Sequence, residues 1–315
     1  MKADLHVHSY HSGYAGHWTF LRVRDCYSSP EAVYRIAKAR GMDLVCLTDH
    51  DSIDGCLEFL NRHPDAPDFI IGEEVECYLP DAPGLRVHLG VIGMTEAHHR
   101  EVQRLRGNVG DVAAYLRAHD VFFAVNHLFM LFGDQMPVAD YITLALSLAP
   151  ALEVHNGAML PAQNALIADV RDAISRRRAR PLVAVGGSDA HTLQWVGTAY
   201  TETGGTTRED FLTELRAGHA TTGGAHGGRA RLMSEIYGVI FNSWRALAGL
   251  ERHDLTAGRR LVAAACSLGL LPLQFVPAIC AVALKGSEAR RIARYRQDWA
   301  AERPAVPVDA RPAAI

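Results

Sequence analysis

The opening stretch Asp4-Leu5-His6-Val7-His8-Ser9 constrains this chain more than any other. Its run of apolar and polar residues reads as a strand over residues 2–7, and residues two apart on a strand point to the same side. His6 and His8 can therefore converge on one metal ion, with Asp4 on the same face. Short motifs of this kind occur by chance, but this one recurs in company. Thr48-Asp49-His50-Asp51, Gly72-Glu73-Glu74, Val87-His88-Leu89, Asn126-His127 and Gly187-Ser188-Asp189-Ala190-His191 follow, each in or just beyond a strand-like run.

Those runs alternate with helical patterns. Ser29-Pro30-Glu31 starts a helix with a capping serine, a proline at the first helical position and an acid in the first turn. Val33, Ile36 and Ala37 continue it, and Gly41 ends it. Further helices are expected near 54–61, 96–106, 109–119, 138–148, 162–178 and 207–217. Strands are expected at 43–47, 69–71, 121–125, 151–154, 182–185 and 197–201, with a hairpin at 75–79 and 85–93. This alternation predicts parallel β/α units, about seven of them before residue 205. In a β/α barrel the reactive residues gather at the carboxyl ends of the strands, where these histidines and acids stand. The expected fold is therefore α/β, an irregular barrel of seven units. In the alternative, an open doubly wound sheet, functional residues cluster at one switch point, and ligands drawn from so many strands would not meet.

Charge divides the chain. Residues 1–225 hold 19 Lys and Arg against 28 Asp and Glu, whereas residues 226–315 hold 13 against 7. That shift predicts a catalytic domain over 1–225 and an appendage over 226–315. The acidic catalytic part argues against a nucleic-acid substrate, because backbone binding needs a basic face. The six cysteines form no Cys-x-x-Cys motif, and buried reduced thiols are expected. No apolar segment precedes the first strand, so no secretory signal is expected and the expected location is the cytoplasm.

Histidines mixed with carboxylates suit zinc, manganese or iron, and the donor set does not choose among them. In the grouping expected here, His6, His8, Glu74 and Asp189 hold one ion. Glu74 bridges to a second ion held also by His88 and His127, since the two oxygens of a carboxylate offer separate lone pairs. His50 and His191 hold a third. Glu73 competes with Glu74 for the bridging role. Asp49 reads as a residue that orients a ligand histidine.

These motifs, in this order, resemble the polymerase-and-histidinol-phosphatase superfamily, the PHP domain. The resemblance covers residues 3 to about 205. It implies a distorted barrel of seven β/α units and a site of two or three divalent ions that hydrolyses phosphate esters. The Gly-x-Glu spacing matches Glu74, not Glu73, to the family's ligand position. Many small members read His-Ser-x-x-Ser-Asp-Gly after the first motif, and that aspartate binds the third ion. Here Gly13 follows Ser12 instead, so His11 or His17 is expected to substitute, His17 ahead.

The expected activity is a metal-dependent hydrolase of small phosphate esters. A water shared by two ions would lose its proton near neutral pH, with a pKa lowered to ~7, and the hydroxide would attack phosphorus. His191, His50 with its ion, or a water would assist the leaving alkoxide. Asp189 and Asp49 complete the expected catalytic set. Arg22, Arg24 and Arg86 are candidate phosphate forks. Two other readings are end-trimming of nucleic acids and a membrane-tethered regulatory module.

In the appendage, Leu232, Ile236, Ile240, Trp244 and Leu247 sit at helical spacing. Residues 261–284 carry no charge and include Pro272 and Pro277. A re-entrant hairpin on the inner membrane face, with basic flanks against anionic headgroups, competes with a pair of apolar helices packed on the barrel or across a dimer. The 9–28 loop and the Gly-rich 222–228 segment with His226 are the expected specificity elements. From Pro304 a loose tail is expected.

Overall fold

The structure, a computed structural model, describes residues 1–14, 23–80, 82, 84–132, 136–251, 255–273 and 275–302. Its strands are β1 (Lys2–Asp4), β2 (Leu44–Leu47), β3 (Phe69–Tyr78), β4 (Arg86–Ile92), β5 (Phe122–Val125), β6 (Ala151–Asn156), β7 (Val183–Gly187), β8 (Ala199–Thr203) and β9 (Ala220–Gly224). The helices α1 (Pro30–Ala39), α2 (Asp54–Arg62), α3 (Glu96–Leu105), α4 (Val109–Ala118), α5 (Val138–Leu148), α6 (Pro161–Ser175) and α7 (Arg208–Ala217) connect them. Three more follow: α8 (Arg229–Leu247), α9 (Ala257–Gly269) and α10 (Val276–Glu302).

One sheet runs in the order β7-β6-β5-β4-β3-β2-β1-β8-β9. The pairs β1–β2, β2–β3, β5–β6 and β6–β7 are parallel. The sheet then curls until its two halves nearly meet. Beyond β1, Val7 bridges in parallel to Ala190 beyond β7; Asp189 N donates to His6 O at 2.6 Å and His8 N to Ala190 O at 3.2 Å. The result is a nearly closed, distorted barrel, as the alternation of elements predicts.

Several elements differ from the expected pattern. β1 stops at Asp4, and His6 and His8 lie past its end in a stretch held by bridges to neighbouring strands. The short strand expected at 69–71 and the first arm of the hairpin are one ten-residue strand, β3. β4 runs antiparallel to β3, as the expected hairpin requires, and also to β5, which breaks the uniform β/α repeat. The Gly-rich segment supplies β9, paired with β8.

Local chemistry accounts for α1. Ser29 Oγ accepts from Ala32 N, Pro30 leads the helix, and Val33 and Ala37 bury one face beside β2. Apolar side chains inside and outside the sheet form the core, with Phe123, Phe129, Phe132, Tyr141 and Ile167 under α4, α5 and α6.

The C-terminal region divides. The far half of α10 joins the core: Ile292, Tyr295 and Trp299 are buried, with the Tyr295 ring 5.2 Å from Phe129 and 5.3 Å from Phe132. In contrast, α9 and the near half of α10 meet at a bend of 52° and do not fold back as a hairpin. Pro272 lies in a 3-10 turn, Leu271–Leu273, between the arms, and Pro277 lies in the first turn of α10. No single described helix is long and apolar enough to cross a membrane; the bent pair reaches that length and composition only jointly.

Candidate metal centre

Strand register builds the site. In β2 and β3, Leu47 aligns with Ile71, so the residues after β2 fall level with Glu74, and His50 bridges to Glu74. Thr48 N donates to Val7 O at 2.9 Å, which brings the His6–His8 stretch to the same level. Because β4 is reversed, its early residues reach this level, and His88 pairs across from Glu76, one step from Glu74 on the same face. Asn126 N donates to His88 O at 2.9 Å and sets His127 beside it.

Glu74 stands at the centre and is fully buried. Its Oε1 lies 2.8 Å from His127 Nε2, 3.1 Å from His88 Nδ1 and 2.9 Å from Asn126 Nδ2. Its Oε2 faces a different set: His50 Nδ1 at 3.0 Å, His6 Nε2 at 3.2 Å and His8 Nε2 at 3.6 Å. Asp189 Oδ1 lies 3.5 Å from both His6 Nε2 and His8 Nε2. Four overlapping groups have metal-ligand spacing among the described residues: His6-His8-Glu74, His6-His127-Asp189, His50-Glu74-His88 and His8-His50-His191. Glu73 points away, accepting from Gln103 Nε2 at 2.6 Å with His99 Nδ1 at 2.9 Å.

Two positions at the ends of strands hold backbone conformations that side chains rarely adopt, His127 at φ 24° and Asp189 at φ 53°. Such conformations persist where the surrounding structure enforces them, and they concentrate at functional sites.

The donor set fits a divalent cation. His6 Nε2, His8 Nε2, Glu74 Oε2 and His88 Nδ1 are buried with no hydrogen-bond partner, the first three in one group of ligand spacing and His88 with Glu74 and His50 in another. Orphaned buried polar atoms are costly, and a cation in each group would satisfy them. Titration behaviour agrees. Burial would raise Glu74, but His6, His88, His127 and His50 hold it well below the carboxylate range. Burial would lower His6, but Glu74, Asp189 and Glu153 hold it well above its ordinary value. The same competition, against Glu74 for His88 and Asp25 for His191, raises each to about 9. His8 is pressed down to about 3 by burial and by His191 and His50. A metal ion replaces protons in such a cluster.

The third group shows what sequence reasoning missed. Asp25 Oδ2 lies 2.8 Å from His191 Nε2 and 3.4 Å from His50 Nε2. Asp25 therefore puts a carboxylate where the motif at Gly13 lacks one. His11 turns outward, its Nε2 2.9 Å from Glu58 Oε2, because it sits on a 3-10 turn capped by Ser9. His17 lies outside the described residues, as does Arg22. Only the acid at Asp25, set in a loop without periodicity, could have signalled this role.

Glu153 was also missed, hidden in a strand. It is buried, with Oε1 2.8 Å from His6 Nδ1, and its Oε2 accepts from His127 N at 2.8 Å and Asn156 Nδ2 at 2.9 Å. Asp49, expected among the catalytic residues, makes no contact with the ligand atoms. It accepts from Ser9 N, Ser9 Oγ and Ser12 Oγ, and Ser12 Oγ meets His8 Nδ1 at 3.0 Å. Its charge thus reaches His8 through a hydroxyl. Asp4 ties loop ends together through Ser188 N at 2.7 Å and Gly197 N at 2.8 Å.

The appendage enters the site. Arg231, in the first turn of α8, is buried, stacks 5.0 Å over Trp195 and donates to Ser188 O, while Glu235 accepts from His191 N at 3.4 Å. Of the candidate phosphate forks, Arg24 donates to Tyr10 O and Arg86 pairs with Glu76 at 2.7 Å. His226 Nδ1 lies 2.9 Å from Asn164 Nδ2.

Residues 169–220 match a family model described as PHP-associated. A 76-residue stretch is 34% identical to an uncharacterized protein of Methanocaldococcus jannaschii, covering 24% of this chain and 44% of that protein. The chain thus matches less than half the length of that curated relative. Among solved structures, PsfC from Pseudomonas syringae superposes with a TM-score of 0.52 at 20% identity, covering 78% of this chain and 98% of PsfC. That likeness shows a shared fold. A two-domain protein of Bacteroides vulgatus containing a predicted PHP-like metal-dependent phosphoesterase gives a TM-score of 0.46 at 17% identity, over 76% of this chain and 69% of that one. The PHP-associated match thus falls on one segment, and the motifs that resemble the PHP domain superfamily stand in their order on a nearly closed barrel.

Proposed function

We propose that this chain is a metal-dependent phosphoesterase acting on small phosphate esters, with His6, His8, His50, Glu74, His88, His127, Asp189 and His191 as metal ligands. The observation that carries the reading is Glu74, whose two oxygens face separate sets of histidines. That geometry would let Glu74 serve two ions at once, one beside each set of histidines. When bound, such ions make water nucleophilic near neutral pH and neutralise the charge on the phosphoryl oxygens.

The chain's own residues supply the rest. Glu153 fixes the tautomer of His6, leaving Nε2 as its donor. Ser12, backed by Asp49, orients His8. Asp25 aligns His50 and His191 on the solvent side of the cluster, where both are partly exposed. On that side the leaving alkoxide would depart into solvent and take its proton from water. The net acidic charge of residues 1–225 supports a small substrate over a nucleic-acid chain.

Manganese, iron or zinc each fit the mixed nitrogen and oxygen donors. The test is a panel of phosphorylated metabolites and generic mono- and diesters, assayed with chelated and metal-reloaded protein. Turnover that appears only after reloading is expected. Failure on every ester with each of the three metals overturns the proposal.

A further inference from the structure

We propose that the outer face of the bent α9–α10 pair seats on the surface of an anionic lipid membrane, holding the barrel beside it. On α9, residues 260, 263, 264 and 267 turn inward, and on early α10 residues 277, 278, 281 and 285 do the same, at helical spacing. The opposite faces carry Leu261, Val262, Leu268, Ile279, Val282 and Leu284, all exposed. A surface helix of a globular protein puts polar residues on that side. Here the exposed side is the apolar one, and Leu271 and Phe275 extend it across the bend.

Charge identifies the occupant. No Asp or Glu occurs from 255 to 287, while Arg259 and Arg260 stand at one end, and Lys285, Arg290 and Arg291 at the other. Of these, Lys285 is tied to Ala158 O and Glu288, whereas Arg259 and Arg290 are exposed. A second copy packed on this face, in either orientation, would bring basic ends against basic ends. An anionic headgroup layer is complementary to both ends at once. α9 is 13 residues, ~20 Å at 1.5 Å per residue, short of the ~30 Å hydrocarbon thickness. With the 52° bend, the arms fit an arrangement lying along the interface. The far half of α10, buried in the core, fixes this face to the barrel.

The test uses two thiols already present. Cys266 and Cys280 are exposed, and the other four cysteines are buried. An environment-sensitive thiol dye on the full-length, metal-loaded chain therefore reports on α9 and early α10. Vesicles of phosphatidylcholine with phosphatidylglycerol should shift the dye emission to the blue and float at least about tenfold more protein than phosphatidylcholine alone. Val262→Asp with Ile279→Asp, both on the exposed face, should abolish flotation and leave the far-ultraviolet circular dichroism unchanged. Absence of flotation and dye shift with both vesicle types overturns the proposal. So does flotation that survives the double substitution. A dimer in light scattering that the same substitutions dissociate, without vesicle binding, would assign the face to a second copy instead.

Discussion

Glu74 joins both halves of the cluster, but at the residue scale the less obvious work falls to side chains that never reach the ligand centre. Glu153 meets His6 Nδ1 at 2.8 Å and also holds the backbone of His127. Carboxylates in this position typically contribute 10–100-fold in metal affinity or activity. Glu153→Gln should therefore weaken metal binding by roughly 10–100-fold while the protein stays folded, as a titration monitored by calorimetry would show. Asp25→Asn should act on the outer group alone. Metal analysis is expected to show a lower ion count with the Glu74-centred ions retained; an unchanged count would show that the outer group does not depend on Asp25. Legibility also divides at this scale. The histidine pair, His50, Glu74 and Asp189 were readable because each ends or follows a periodic apolar run. Asp25 was not, because it comes 17 residues after His8 in sequence, in an irregular loop whose path only tertiary packing decides. Glu153 looked like one more residue of a buried strand.

At the scale of elements, the site depends on close approach between strand ends. A Cβ on Gly187 would lie 2.4 Å from His6 Cβ and 2.5 Å from His6 N. Since His6 N is backbone, the β7 end would have to move away from the His6–His8 stretch. Gly187→Ala is expected to destabilise by about 1–3 kcal/mol and to reduce metal retention, measured by thermal unfolding and metal analysis. Helix positions were legible almost throughout, since capping residues and 3.6-residue spacing are local. The hairpin that reverses β4 against β3 was legible as well, but its antiparallel pairing with β5 was not, since no local signal sets it. The far half of α10 was hidden too, its few core residues lying among arginines. Trp299→Ala should cost about 3–5 kcal/mol, readable in denaturant unfolding, because Trp299 packs into the main core.

Over the whole molecule, the charge cluster links stability to pH and metal. In the metal-free protein, His88 and His191 have pKa values of about 9, and His6 and His50 are also raised. Groups whose folded pKa exceeds the unfolded ~6.5 stabilise fully below pH ~6.5, and that stability is lost as pH rises toward 9. Chelated protein should thus unfold at progressively lower temperature between pH 6.5 and 9. Metal binding displaces the same protons, so the rise in melting temperature on adding metal should widen over that window. A constant increment would contradict the linkage.

The account turns on ions held jointly by residues from separate strands, with Glu74 as their common ligand. The most direct measurement is the number of divalent ions per chain, by inductively coupled plasma mass spectrometry, in the wild-type protein and in Glu74→Ala after identical reloading. At least two ions are expected in the wild type, since the two oxygens of Glu74 face different histidine sets, and both should be lost or sharply depleted together in the variant. Equal metal content in the two proteins, or none in either, would contradict it.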